Sequence, residues 1–476
     1  MTQTNEPQNG VAVVATGTAN LASVTAALRR VGAEVQLVDD AAAVLQARRL
    51  VLPGVGAFDA AMQQLADKGL VAPLQQRIRE GRPTLAICLG LQLLASTSEE
   101  SQGGRGLCVF EEPVVRLPDN VVTPELGWNG VVAEDGCRLL EDGTAYFAHS
   151  YALRDVPQGW SGTWTQHGNR FVSAIEKGAV LACQFHPELS GAWGERLLRR
   201  WFEGCRSVDG ERAGSTSAPA LARRVVPCLD VAEGRVVKGI QFQSLRDAGD
   251  PAERASLYAQ QGADEVVILD VSATPEGRKT AATTVARVRS QLNIPLTVGG
   301  GIRSVDDASR LLDAGADKVA VNTAAVARPQ LLEELAARFG RQCIVLSLDA
   351  KRRRGGGWDV VVRSGTQSAA LDAVGWAQEA ARRGAGEILL TSFDKDGTRS
   401  GYDVDLLRAV SDAVSIPVVA SGGAATPADL VDAFQAGADA ALAASLFHDD
   451  DFTVQDVKFE LARQGVCVRI AEGAAS

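Results

Sequence analysis

Histidine is scarce in this 476-residue chain, with four in all, so chemistry that needs an imidazole has few places to reside. Net positive charge is absent. The formal charge of −10 at pH 7 argues against nucleic acid and against an anionic membrane surface as partners. Phosphate sites survive that exclusion, because backbone N–H groups and helix N-termini hold phosphate without net basic charge. No apolar run reaches membrane-spanning length. The opening MTQTNEPQNG is polar, with neither the apolar stretch of a secretory signal nor the Arg-rich character of a transit peptide. The eight cysteines are scattered and form no Cys-x-x-Cys pair, so zinc ribbons and dithiol redox centres find no support. The expectation is a reduced, cytoplasmic chain without a structural metal.

What is present is apolar substance. With 46% hydrophobic residues the chain can fill substantial cores, and its length suggests about two or three domains. Residues 207–222, SVDGERAGSTSAPALA, are small and polar with no apolar stripe. They read as a linker between a domain at 1–206 and another at 223–476. In the first, short apolar strands such as GVAVVA, RLVLPG and TLAICL alternate with helical patterns, which indicates an open α/β sheet.

One stretch of that domain places a thiol at a junction. In TLAICLGLQLLAS, residues 84–96, Thr84–Ile87 read as a buried strand, while Leu91, Leu94 and Ala95 fall at helical spacing. Cys88 sits on the turn between them, beside the first free N–H groups of a helix, where a thiolate is stabilised. This is the geometry of a nucleophile elbow with sulfur as the nucleophile; the blander alternative is a buried cysteine packing as a small hydrophobe. A thiol nucleophile needs a base. Three histidines precede the linker. His149 in YFAHSY is flanked by aromatics and suits packing, and His167 lies in a polar turn. His186 in LACQFHPELS ends an apolar strand, with Glu188 two residues on to orient it.

The second domain repeats itself. NIPLTVGGGIRSVDDASRLLDAGADKVAVNTAA from Asn293 matches SIPVVASGGAATPADLVDAFQAGADAALAASLF from Ser415. GADEVVIL from Gly262 matches GAGEILLT from Gly384, and VVPCLDV from Val225 matches IVLSLDA from Ile344. The period is roughly 120 residues. Each copy reads as four strand–helix units, and eight such units close into a (β/α)8 barrel built from two half-barrel repeats. An open parallel sheet of the same content would leave two exposed edges.

Barrel active sites lie at the C-terminal ends of the strands. There each copy has an aspartate closing its first strand, Asp230 in CLDV and Asp349 in SLDA. The pseudo-twofold sets these carboxylates across the mouth from each other, suited to general acid–base work; helix capping or ion pairing is the plainer alternative. Each copy also has a Gly-rich strand end followed by a second strand end. One pairs Gly299, Gly300 and Gly301 with Asn322 and Thr323; the other pairs Gly422 and Gly423 with Ala444 and Ser445. Glycines let backbone N–H groups approach an anion, and hydroxyls add donors. The pattern fits a substrate with a phosphate at each end, stretched between the aspartates. SFDKDGTRSGYD from Ser392 adds Asp396 and Gly397 near the second phosphate position.

Residues 223–476 resemble the cyclase subunits of imidazole glycerol phosphate synthases. The resemblance rests on CLDV with GRVVKG, LTVGGGIR, GADKVAVNTAA, QCIVLSLDAK, GAGEILLTSFDKDGTRSGYD and VVASGGA, which cover nearly the whole barrel. It implies that Asp230 and Asp349 are the acid–base pair and that Lys238 and Asp396 line the site. CLGLQLL with QFHPE is similar to the signature of class I glutamine amidotransferases, which implies a triad of Cys88, His186 and Glu188. PGVGAF, with Gly54 and Gly56, resembles the oxyanion strand of the synthase's glutaminase subunit, and Gln92, Glu100 and the GWN at 127–129 match it too. Arg224, Glu265, Lys318 and Glu387, at strand starts, match the charged ring at the barrel base of the cyclase family. That ring reads either as an ammonia gate or as a stabilising salt-bridge plug. Glu125, Leu189, Thr366 and Gln367 depart from the family, where a histidine, a lysine and a basic pair are common.

The resemblance implies that glutamine yields glutamate and ammonia in the first domain. The ammonia then converts phosphoribulosyl-formimino-AICAR-phosphate, a bisphosphorylated AICAR derivative, to imidazole glycerol phosphate and AICAR in the second. It also implies docking of one domain on the other and no cofactor, because the carboxylates move only protons. A barrel isomerase with a vestigial glutaminase and a glutamine-sensing scaffold are the alternatives.

Overall fold

The computed structural model describes residues 8–15, 21–101, 103–204, 221–240, 243–271, 277–363, 365, 367–448 and 451–471. They form two compact units. The first runs to Val121 and resumes at Trp128–Leu221; the second comprises Ala222 onward together with the short segment Val122–Gly127. That segment falls inside the stretch 1–206 expected to be one domain. Residues 207–220 of the expected linker lie outside the described residues.

In the first unit, five parallel strands stand side by side: β1 (Gly10–Val14), β2 (Glu34–Val38), β3 (Leu50–Leu52), β4 (Thr84–Ile87) and β5 (Val180–Cys183), in the order β2-β1-β3-β4-β5. Every residue of β1, β3, β4 and β5 is buried, because helices cover both faces. A strand covered on both faces reads as an unbroken apolar run, which is why these were visible in sequence. Beyond β5 the sheet turns antiparallel through Asn169–Lys177, Ser161–His167, Glu125–Ala133 and Gly143–His149. The expected open α/β sheet is therefore mixed. His167 also differs from expectation: it ends the strand Ser161–His167, whose alternation buries Thr163, Thr165 and His167 on one face.

Tight backbone contact shapes the region around Cys88. A Cβ on Gly90 would stand 2.2 Å from the Leu52 carbonyl oxygen, and one on Gly54 would stand 2.5 Å from the Gly90 nitrogen. The two glycines therefore let the loop after β3 touch the turn after β4.

In the second unit, eight parallel strands close on themselves. They are β6 (Arg224–Ala232), β7 (Val266–Asp270), β8 (Leu296–Gly299), β9 (Lys318–Val321), β10 (Ile344–Arg352), β11 (Glu387–Ser392), β12 (Val418–Ser421) and β13 (Ala440–Ala443). Each pairs with the next, and β13 returns to β6 with Val225 against Ala441. At least one helix follows each strand, and the barrel interior is packed by Val226, Val267, Val345, Leu389 and Val419 among others. Two hairpins were not foreseen in the sequence. Arg235–Ile240 pairs with Gln243–Gly249 after β6, and Trp358–Val362 with Gln367–Asp372 after β10. They occupy equivalent places in the two repeats. Among the described residues no helix is long and apolar enough to cross a membrane.

Candidate active sites

Cys88 adopts φ 52° and ψ −109°, a positive-φ conformation that is strained for a non-glycine residue and that a sharp strand-to-helix turn can impose. Its N–H donates to the Cys183 carbonyl of β5 at 2.7 Å, so the elbow is tied to the strand that carries its partners. Three residues past β5, His186 is held by its N–H on the Tyr146 carbonyl, at 2.9 Å. Its Nδ1 lies 2.8 Å from Glu188 Oε1. Cys88, His186 and Glu188 are all buried, and the second carboxylate oxygen of Glu188 has no hydrogen-bond partner among the described residues. Burial pushes the His186 imidazole down. The charges of Cys88 and Glu188 and their hydrogen bonds to the ring outweigh it and raise the imidazole well above its ordinary value. The arrangement is that of a thiol and an imidazole backed by a carboxylate. His149 packs against Phe147 and Phe171, as expected, with Nδ1 2.9 Å from the Tyr151 carbonyl.

Around the thiol, the structure brings Gly54 against Leu89 and Gly90, and Gly56 sits in the same loop at φ 109°. Glu100 accepts a hydrogen bond from the Phe58 N–H at 2.9 Å, bracing the start of the helix that follows this loop; burial raises its carboxyl, opposed by that N–H. Gln92 donates from Nε2 to the Tyr151 carbonyl at 2.8 Å and to Gln184 Oε1 at 3.1 Å. Gln184 was not singled out from the sequence, yet its Nε2 lies 3.6 Å from Cys88 Sγ. Its place inside QFHPE was the one signal available.

In the barrel, Asp230 of β6 and Asp349 of β10 stand four strands apart in a ring of eight, hence across the mouth from each other. Burial, then the charge of Asp396, pushes Asp230 up to about 7. Burial and Asp396 likewise push Asp349 up to about 7, against hydrogen bonds from Asn322 and Thr391. Asp396 therefore acts on both aspartates, and burial raises its own carboxyl against the Gly397 N–H. Asn322 donates from Nδ2 to Asp349 Oδ2 at 2.9 Å, and its buried Oδ1 has no partner among the described residues. Thr323 opens the short helix Thr323–Ala327, and Ser445, after Ala444, opens Ser445–His448 at the equivalent point of the other repeat. Gly300 and Gly301 at φ 103° and 69° mirror Gly422 and Gly423 at 91° and 103°, a backbone that only glycine adopts without strain. Lys238 lies on Arg235–Ile240, with its side chain outside the described residues, as is Thr366.

At the opposite ends of the strands, four buried charges form a closed ring. Arg224 reaches Glu265 at 2.8 Å and also pairs with Glu387. Lys318 reaches Glu265 at 2.8 Å and Glu387 at 2.5 Å. Burial pushes the Glu387 carboxyl up, but Arg224 and Lys318 outweigh it and hold it below the usual range. Each cation thus touches both anions.

Two family models match the chain. Residues 12–205 match glutamine amidotransferase class-I, and residues 224–453 match histidine biosynthesis protein.

The raised aspartates give a pH-dependent stability. Asp230 sits near 3.9 when unfolded and about 7 when folded, so its burial costs nothing below pH 4. The cost grows as pH rises and is complete above 7. Asp230→Asn should therefore raise the thermal unfolding midpoint at pH 8, with the gain vanishing toward pH 4. Melting curves across that range check it, and a pH-independent or opposite effect contradicts it.

Proposed function

The chain belongs to the class-I glutamine amidotransferases over one domain and to the histidine-biosynthesis proteins over the other, the fusion that makes an imidazole glycerol phosphate synthase, and on that premise we propose how its residues divide the work. The Cys88 thiolate attacks the side-chain amide carbon of glutamine. The oxyanion is met by the Leu89 N–H and the loop of Gly54 and Gly56, the pairing of donors that an elbow provides. His186, held by Glu188, gives its proton to the departing nitrogen, and ammonia leaves. Water, deprotonated by His186, then cleaves the thioester to glutamate and restores the thiolate. Gln92 and Glu100 border the glutamine site.

In the barrel, ammonia meets phosphoribulosyl-formimino-AICAR-phosphate. One phosphate is gripped by Gly300, Gly301 and Thr323, the other by Gly422, Gly423 and Ser445, beside Ala444; Lys238 and Gly397 complete the lining. Asp230 and Asp349 both titrate near 7, so at neutral pH the pair readily holds one acid and one base, the state that ring closure needs. Asn322 orients Asp349 through its amide. The ring of Arg224, Glu265, Lys318 and Glu387 is the gate by which ammonia enters the barrel. The reaction belongs in the cytoplasm, in keeping with seven described cysteines that are all free thiols.

The observation that carries this reading is the meeting of Cys88, His186 and Glu188, with Nδ1 of His186 on Glu188 and with Cys88 and Glu188 raising the imidazole. A vestigial glutaminase or a sensing scaffold would not need it.

Cys88→Ala should abolish glutamine-driven cyclisation and leave ammonium-driven cyclisation intact. Asp230→Asn and Asp349→Asn should each lower both by well over ~10²-fold, the scale of a lost general acid or base. Product assays with either nitrogen source check this. Ammonium-driven turnover lost in the cysteine variant, or kept in an aspartate variant, would contradict the division.

Lys318→Ala tests the gate. Ammonium-driven cyclisation, which shows that the barrel is intact, should stay near normal while glutamate accumulates in excess over imidazole glycerol phosphate. A one-to-one ratio would leave the ring as a stabilising plug.

A further inference from the structure

We infer that Gln184 is a catalytic residue of the glutaminase half-reaction, donating a hydrogen bond from its side-chain amide to the Cys88 sulfur and holding that sulfur as the thiolate. The inference rests on Cys88 being the nucleophile.

Gln184 is completely buried, one residue beyond β5 and two before His186. A primary amide can face a neighbour with its oxygen or its nitrogen, and the network around this one leaves a single choice. The Tyr151 carbonyl can only accept, so Gln92 must present its nitrogen there, at 2.8 Å. The second proton of that nitrogen goes to Gln184 Oε1 at 3.1 Å. With its oxygen committed, Gln184 turns Nε2 to Cys88 Sγ, at 3.6 Å. A thiol is a weak acceptor and a thiolate a strong one, so a fixed N–H aimed at sulfur favours the ionised form. In a buried site that preference is strengthened, because no water competes for the sulfur.

His186 and Gln184 then divide the task. The proton from Sγ goes to His186, which carries it to the departing nitrogen. The imidazole's charge is therefore spent within the cycle, whereas the amide N–H of Gln184 stays in place. It meets the sulfur again when the thioester breaks and the C–S bond electrons return to Sγ. Gln92 touches neither sulfur nor reacting carbon through this contact; it is a positioning residue that fixes which end of Gln184 faces the thiol.

The test is the pH dependence of Cys88 alkylation by iodoacetamide in the full chain, with the modified residue identified by peptide mass and glutamate release followed in parallel. Gln184→Leu removes the donor and should move the midpoint up by about one pH unit, the scale of one hydrogen bond to a charged group. Gln184→Glu keeps the shape and the acceptor for Gln92 but places a carboxylate against the thiolate, and should move it further. Unchanged melting temperatures exclude a general loss of packing, and the isosteric Glu variant serves if the Leu variant does not fold. A midpoint that stays at the unsubstituted value in the folded variants, with Cys88 still the labelled residue, overturns the inference and leaves the nucleophile in place. If alkylation that stops glutamate release falls on a different cysteine in the unsubstituted chain, the nucleophile reading fails and the inference with it.

Discussion

Charge held out of water costs free energy unless something opposite lies within reach, and the two sites and the barrel base answer this constraint in different ways. In the first site, burial lowers the His186 imidazole, and Cys88 and Glu188 together outweigh it. In the ring, two cations and two anions close on one another with no charge left over. The barrel mouth is different. Asp230, Asp349 and Asp396 face one another without a described cation among the causes that set their ionisation. Asp230 and Asp349 respond by taking up protons near neutrality. A compensated charge stays fixed, as the ring requires; an uncompensated one titrates, as acid–base chemistry requires.

Duplication explains both the symmetry of the barrel and the places where it had to be broken. The glycine pairs, the aspartates late in β6 and β10, the hairpins and the short helices at Thr323 and Ser445 all occur twice. So do the acids of the ring, Glu265 and Glu387. Its cations do not: the positions equivalent to Arg224 and Lys318 hold Cys343 and Ala440. A strict copy would have set two buried glutamates near each other with repeated basic groups crowding the same space. One arginine and one lysine, each bridging both glutamates, neutralise the pair with nothing to spare.

Much of this was legible in the residues. Strands buried on both faces announce themselves as apolar runs, so β1, β3, β4 and β5 and the barrel strands stood out, and a repeat is visible without any structural knowledge. Cys88 and His186 could be picked because a strand end is a recognisable place in a sequence. The antiparallel half of the first sheet was not read, since its strands are shorter on apolar signal and alternate; that is also why His167 looked like a turn residue. Contacts between side chains on different elements have no period at all. Asn322 on Asp349 and Gln184 on Cys88 are of this kind, and the closure of the four charges into one ring could be expected from resemblance alone.

In the function we propose, nitrogen released at Cys88 is the nitrogen consumed between Asp230 and Asp349. Glutamine carrying ¹⁵N in its side-chain amide can be supplied together with unlabelled ammonium too dilute to drive cyclisation at a comparable rate. The ¹⁵N content of the imidazole glycerol phosphate formed is then measured by mass spectrometry. Direct passage of ammonia predicts product that keeps the glutamine label almost undiluted. Product whose label matches that of the bulk ammonium pool would contradict it, because the ammonia would have passed through solvent on its way to the barrel.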